Sequence, residues 1–285
     1  MNTVYLNGDY LPMHEARISP MDRGFLFGDG IYEVIPSYDG RLVGFGPHLE
    51  RMQQGLDALE IKLRLEHTQW RRIAEELIER NGGGALAIYI HISRGADNRR
   101  HHAYPENIAP TVFALAYEIP EAPTADRSIA KLFRVSTAED LRWKHCDIKT
   151  TALLGNVMHY QQSHARGEDE VILYNNAGEI TEAAACNVYV VKDGVVATPE
   201  LDKQKLPGIT RQLLLKILRA DGSIPIEERV VTLEELRNAD EVWLSSSSKD
   251  IAPVVAVDGN QVGDGAPGDV WHAAQTLFSQ HKFDY

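Results

Sequence analysis

At 285 residues the chain is long for one compact core, and its 44% hydrophobic and 25% charged residues are those of an ordinary soluble protein, with two domains expected. A formal net charge of -12 argues against a non-specific nucleic-acid or anionic-membrane partner, while a local arginine cluster could still favour a small anion. The amino terminus (Met1 to Gly8) lacks a basic stretch followed by an apolar run, and no apolar run approaches a membrane span. Cys146 and Cys186 make neither a disulfide framework nor a paired metal spacing, so a reducing cytoplasm is the expected compartment.

In chain order, the first segment alternates as a strand, turns at Asn7-Gly8 and returns, which predicts a hairpin. Ile31 to Tyr38 reads as another strand, followed by a turn at Asp39-Gly40 and a short return through Leu42 and Val43. Pro47 opens an amphipathic helix, with Leu49, Met52, Leu56 and Leu59 spaced for one buried face. A second helix is expected from Thr68, its N-cap, to Arg80, ended by Asn81-Gly82. Ala85 to Ser93 and Thr111 to Ala116 are strands, and the loop between them, Arg94 to Pro110, is rich in basic groups and histidine. Ile119 to Thr124 is the candidate linker, which gives an N-terminal domain over residues 1–118, a connection over 119–126 and a C-terminal domain over 127–285. Beyond it, Ile129 to Val135 reads as a strand and Thr151 to Arg166 as a helix with an apolar face. Val171 to Tyr174, Asn187 to Val191 and Val195 to Ala197 are strands, and Gly208 starts a helix that continues through Leu218. The strand Glu241 to Leu244 runs into four serines, 245–248, and a last helix covers Gly268 to Gln280. The sum is α+β in two unequal halves, with few clean βαβ units.

Several side chains suit chemistry, each with a plainer alternative. Lys149, in Asp147-Ile148-Lys149, is either half of a surface ion pair or a lysine able to form a Schiff base with an aldehyde cofactor, which needs a neutral, sheltered amine. Gly208-Ile209-Thr210 is either an ordinary loop-to-helix junction or an anion site at a helix start. The serine run is a solvated loop or a second set of donors to that anion. Arg51, one turn from His48, is a helix-surface arginine or a bidentate phosphate ligand. Glu182 is a turn glutamate in water or a carboxylate held against a pyridine nitrogen, where it would make the ring an electron sink. The loop Asp97 to Pro105 is a carboxylate clamp, a solvated basic loop or, through its adjacent histidines, a weak metal candidate; no metal is expected.

Taken together, these pieces resemble the class IV aminotransferases, pyridoxal 5'-phosphate enzymes of fold type IV, and among them the D-amino acid transaminases. The resemblance runs from Asp22-Arg23-Gly24 and Gly28 to Val34 through His48 to Arg51, Arg94-Gly95 and Arg142-Trp143 to Lys149. It continues through Thr181-Glu182, Asn187 and Gly208 to Arg211, and ends at the serine run with Ile251 to Val254. It implies a smaller N-terminal α/β domain and a larger, β-rich C-terminal domain carrying the cofactor lysine. By it, Lys149 carries the Schiff base and shuttles a proton, and Glu182 pairs with the pyridine nitrogen. Arg51, the backbone of Ile209 and Thr210, and Ser246 with Ser247 hold the phosphate. Tyr32 with Arg100 and His102 holds the substrate carboxylate, although the loop can also be read as Arg99-Arg100-His101. A homodimer whose site borrows a loop from the neighbouring subunit is implied too. The expected reaction is ping-pong transfer of an amino group from a D-amino acid, such as D-alanine or D-glutamate, to a 2-oxo acid. The alternatives are a branched-chain L-amino acid aminotransferase, which Leu206-Pro207 would also suit, an aminodeoxychorismate lyase of the same fold, and a cofactor-binding protein without turnover. Ala183-Ala184-Ala185-Cys186 departs from the family, which shows glycine and then hydroxyl residues there.

Overall fold

The computed structural model describes residues 2–285, so of the expected N-terminal domain only Met1 lies outside it. The chain forms two units, residues 2–121 with 148–153, and residues 122–147 with 154–285.

In the first unit, β1 (Thr3–Leu6) and β2 (Asp9–Pro12) form the expected hairpin, with Asn7 and Gly8 both at positive φ. A short α1 (Arg23–Phe27) leads to β3 (Gly30–Tyr38), which turns at Asp39-Gly40 into β4 (Arg41–Leu42). Helices α2 (Phe45–Ala58) and α3 (His67–Arg80) follow, then β5 (Ala85–Ser93) and β6 (Thr111–Glu118). The α3 cap is Glu66 rather than Thr68: the Glu66 and Gln69 side chains close a reciprocal capping box. The strands lie in the order β2-β1-β6-β5-β3-β4, and every pairing is antiparallel. The all-antiparallel pairing agrees with the expectation of few clean βαβ units. Alternation along the paired β3 and β5 sends Ile31, Ile35, Ile88, Ile90 and Ile92 into a core with Leu49, Met52, Leu56, Trp70 and Leu77 of the helices. The opposite face carries Tyr32, Tyr89 and His91.

The second unit contains β7 (Phe133–Glu139), α4 (Leu154–His164), β8 (Glu170–Tyr174), β9 (Ile180–Ala183), β10 (Asn187–Lys192) and β11 (Val195–Pro199). Then come α5 (Ile209–Asp221), β12 (Ile226–Arg229), α6 (Leu233–Arg237), β13 (Glu241–Ser246), β14 (Asp250–Val257), β15 (Asn260–Gln261) and α7 (Asp269–His281). Its nine-stranded sheet runs β12-β11-β10-β13-β14-β7-β8-β9, with β15 on β14. The sheet is mixed, with parallel pairs at β11–β12, β14–β7 and β7–β8. The strand expected at Ile129 begins at Phe133; Ile129 and Leu132 are exposed, so the apolar run there does not mark a buried strand.

Helix α4 departs from expectation in a way that bears on function. It packs on β7 and β8 with His159 and Ser163 buried, points Asn156 the same way toward Ala184 O, and turns Leu154, Val157 and Met158 outward. At 3.6 residues per turn these two stripes lie on opposite sides of the helix.

Candidate active site

Lys149, expected in the C-terminal half, belongs to the first unit. The segment 148–153 pairs with the start of β3: Tyr32 N donates to Lys149 O (3.0 Å), Thr151 N donates to Gly30 O (3.0 Å), and Ile31 bridges Thr150. Strand β4 covers only the far end of β3, so this edge would otherwise leave buried amides unpaired. The lysine is thus on an extended segment, five residues before α4, rather than at the mouth of a helix. Gly28, in the left-handed region (φ 65°), faces Ala152, where an added Cβ would come within 2.9 Å. The Lys149 ammonium nitrogen lies 4.2 Å from the centre of the Tyr32 ring. Two of the expected site residues, Lys149 and Tyr32, are thus brought together.

Arg51 is no surface arginine. Its Nε and Nη2 donate to Glu33 Oε1 (2.8 Å) and Oε2 (2.7 Å), and His48 Nδ1 lies 2.7 Å from Oε2. All three groups are buried. Burial would push the Glu33 carboxyl up, but Arg51 and His48 outweigh it and hold it at about 2, against an ordinary 4.5. Burial also holds His48 below its ordinary value, so its neutral ring donates from Nδ1. Both shifts favour the deprotonated folded state. Glu33 therefore contributes about 3 kcal/mol that is complete above pH 4.5 and lost as pH falls toward 2. His48 adds a decline in the same direction below pH 6.5. Urea titrations of the wild type, followed through the buried Trp70, should show stability falling across this acid range, and Glu33→Gln should remove the lower part of that slope.

The basic loop is held by two buried arginines, Arg23 and Arg94. Arg23 donates to Asp29 (2.7 Å) and to the carbonyls of His101 (2.6 Å) and His102 (3.1 Å). Arg94 pairs with the same Asp29 (2.8 Å) and stacks 3.5 Å from the Tyr104 ring centre. Despite burial, these two arginines hold the Asp29 carboxyl below its ordinary value. The only hint in the sequence is that Arg23 and Arg94 fall inside stretches that carry the family resemblance. Arg100 and His102 both rest on Phe27, at 5.0 and 5.4 Å between centres, and are exposed.

In the second unit Glu182 is 5% exposed, which removes the solvated-turn alternative. Arg142 Nη1 donates to its Oε1 (2.6 Å) and Leu206 N to its Oε2 (2.8 Å). Asp140 chelates Arg142 (3.0 and 2.8 Å) and also accepts from Thr181 Oγ1 (2.8 Å). Burial raises the Glu182 pKa against the pull of Arg142 and of the Leu206 amide. With one donor on each oxygen, the carboxylate keeps lone pairs for a further N–H. Asn187 donates to Leu206 O (2.9 Å), so the Leu206 peptide is held from both sides. A Cβ on Gly208 would sit 2.0 Å from Asn187 Oδ1, so this glycine lets the loop close onto the asparagine. Together these contacts set the start of α5, where the first amides, including those of Ile209 and Thr210, have no intrahelical acceptor.

The serine run is split: Ser245 and Ser246 end β13, and Ser247 and Ser248 begin the turn of its hairpin with β14. Ser245 bonds Tyr189 (2.9 Å), while the Ser246 hydroxyl is buried with no hydrogen-bond partner. Asp250 closes the turn at positive φ (50°), tied to Lys282 by a buried 2.6 Å ion pair. A phosphate dianion requires donors such as the α5 amides and this orphaned hydroxyl, and a pyridinium nitrogen requires a buried carboxylate such as Glu182. This donor set fits pyridoxal phosphate. Among the described residues no cluster of three histidine, cysteine or acidic groups could hold a metal.

A family model described as amino-transferase class IV matches residues 30–257. The chain is 37% identical over 282 residues to a D-alanine aminotransferase of Staphylococcus haemolyticus, covering 99% of this chain and 98% of the relative. Among solved structures it is similar to the branched-chain amino acid aminotransferase of Escherichia coli, with TM-score 0.89, 25% identity, and coverage of 98% of this chain and 94% of the other. It also shares the fold of the T.th. branched-chain amino acid aminotransferase complexed with N-(5'-phosphopyridoxyl)-L-glutamate, at TM-score 0.90, 21% identity, and coverage of 99% and 94%.

Proposed function

The chain belongs to the class IV aminotransferases, and from that premise we propose that it moves an amino group from a D-amino acid, such as D-alanine or D-glutamate, to a 2-oxo acid in a ping-pong cycle. Enzymes of this class use pyridoxal phosphate, which when bound supplies an electron sink for the substrate's Cα bonds. Everything else falls to the protein. Lys149 Nζ anchors the cofactor and then carries the proton to and from Cα. Glu182, buried against Arg142, keeps the ring nitrogen protonated. Arg51, set in orientation by Glu33, binds phosphate with the amides of Ile209 and Thr210 and the hydroxyls of Ser246 and Ser247. Tyr32 with Arg100 and His102 holds the substrate carboxylate, the loop carbonyls being fixed by Arg23. The observation that carries the substrate reading is the 37% full-length identity to a D-alanine aminotransferase, against 25% to the branched-chain enzyme. The test is the absorbance of the protein with pyridoxal phosphate, on addition of D-alanine without acceptor. Conversion of the visible lysine-bound form to the pyridoxamine form, absent with L-valine and L-leucine, is expected. The reverse preference would make it a branched-chain L-enzyme.

The outward stripe of α4 supports a homodimer. Leu154, Val157 and Met158 are 72%, 58% and 57% exposed, and Leu141 and Trp143 add further exposed apolar surface. Met158→Glu should halve the mass measured by light scattering at micromolar concentration; an unchanged mass would clear this face of the role. Cytoplasmic residence is proposed on the two unpaired, buried thiols, Cys146 and Cys186. No described helix is long and apolar enough to cross a membrane.

A further inference from the structure

We propose that His159 is a positioning residue for the Glu182 carboxylate: it holds the 140–142 turn against α4, and Asp140 and Arg142 of that turn set where the carboxylate points. The functional weight of this inference rests on Glu182 as the partner of the cofactor's ring nitrogen. The geometry itself does not depend on the cofactor.

Three consecutive amides fix the turn, the first on β8, the second on α4 and the third on the turn's own aspartate. Asp140 N donates to Tyr174 O (2.8 Å) at the end of β8, Leu141 N to His159 Nε2 (3.2 Å), and Arg142 N to Asp140 Oδ1 (3.0 Å). The Leu141 side chain is turned to solvent, so its amide bond to His159 is what ties that residue to the helix. One residue further on, Arg142 makes its 2.6 Å contact to Glu182.

The chemistry of the imidazole points the same way. Because Nε2 accepts, the neutral ring carries its proton on Nδ1, and Nδ1 is buried without a partner. An unpaired buried N–H costs stability, so a histidine serves here through its acceptor and not as filler. Burial favours the neutral ring, and the charged neighbours Asp140 and Arg142 pull in opposite directions. The same face of α4 holds the far side of Glu182: Asn156 Nδ2 donates to Ala184 O (2.7 Å), two residues beyond it. Lower on that face, Ser163 Oγ donates to Glu170 O (2.7 Å). A polar stripe facing the sheet is thus a row of backbone tethers on both sides of one carboxylate.

The test compares His159→Leu with His159→Gln, whose side-chain oxygen can reach the Nε2 position. Two readouts are used: the crystal structure of each protein without cofactor, and the pyridoxal phosphate Kd from absorbance titration, with apoprotein Tm as the control for folding. The leucine variant should lose the Arg142–Glu182 contact and weaken cofactor binding about tenfold, and glutamine should restore the contact and bring Kd within about threefold of wild type. An intact contact in the leucine variant, or a Tm loss without a change in Kd, would overturn the inference. Should the leucine variant not fold, His159→Asn replaces it, since its shorter amide cannot reach Leu141, and the same two outcomes apply. A wild type that binds no pyridoxal phosphate would overturn the functional reading of Glu182, while the crystal structures would still decide the positioning.

Discussion

Lys149→Ala should lower steady-state transamination by at least about 10³-fold, because the same nitrogen must anchor the cofactor and carry the Cα proton. The fold should survive the change. Segment 148–153 is held by main-chain bonds from Tyr32 N to Lys149 O and from Thr151 N to Gly30 O, neither of which involves the lysine side chain. The side chain is only half-buried and lies over Tyr32, so truncation opens space next to an aromatic face and strands no buried partner. Circular dichroism and Tm close to wild type, with the visible band of bound cofactor gone, is the expected pattern. Lys149→Arg separates charge from chemistry. It keeps a cation over the Tyr32 ring, but a guanidinium does not give up its proton, so it should be as inactive as alanine. Turnover by either variant within tenfold of wild type would mean that another group is the base.

The sequence made much of this legible, and where it failed the reasons are physical. Asn7-Gly8 and the apolar stripe from Leu49 to Leu56 act locally, through positive φ and helical spacing, and the structure places both as expected. Strand β14 escaped because it is buried along its whole length, so no alternation marks it, and Pro253 lies within it. Strand β9 is only four residues long and fully buried. The Thr68 cap was displaced because Glu66 and Gln69 satisfy each other's backbone amides two residues earlier. Helix α4 misled for the opposite reason: its apolar stripe is real but faces outward, and periodicity does not say which side of a helix meets the core. Within the site, Lys149, Glu182 and Arg51 could be named from their stretches. Their partners Tyr32, Arg142 and Glu33 could not be paired with them, because those contacts join residues 117, 40 and 18 positions apart.

Glu182→Gln should leave the second unit folded and cut turnover by about 10²-fold or more, since the ring nitrogen loses the charge that keeps it protonated. The cost in stability is expected to be small. Arg142 retains its chelation by Asp140 at 2.8 and 3.0 Å, so no cation is stranded, and the glutamine oxygen can still accept from Leu206 N, although its NH2 then faces Arg142 Nη1 and that contact is lost. Glu182→Ala is the harsher change, because it leaves the Leu206 amide without an acceptor and loosens the loop that sets the start of α5. The two variants therefore separate the roles of the carboxylate. Glutamine, which keeps the Leu206 acceptor but loses the Arg142 contact, should weaken pyridoxal phosphate binding by no more than about tenfold while kcat at saturating cofactor falls, whereas alanine should weaken cofactor binding further and lower kcat as well. Equal kcat in wild type and Glu182→Gln, measured at saturating cofactor, would show that Glu182 orders the loop and takes no part in the chemistry. Because the Arg142 contact is made through Oε1 alone, Glu182→Asp, one methylene shorter, should fall between wild type and glutamine.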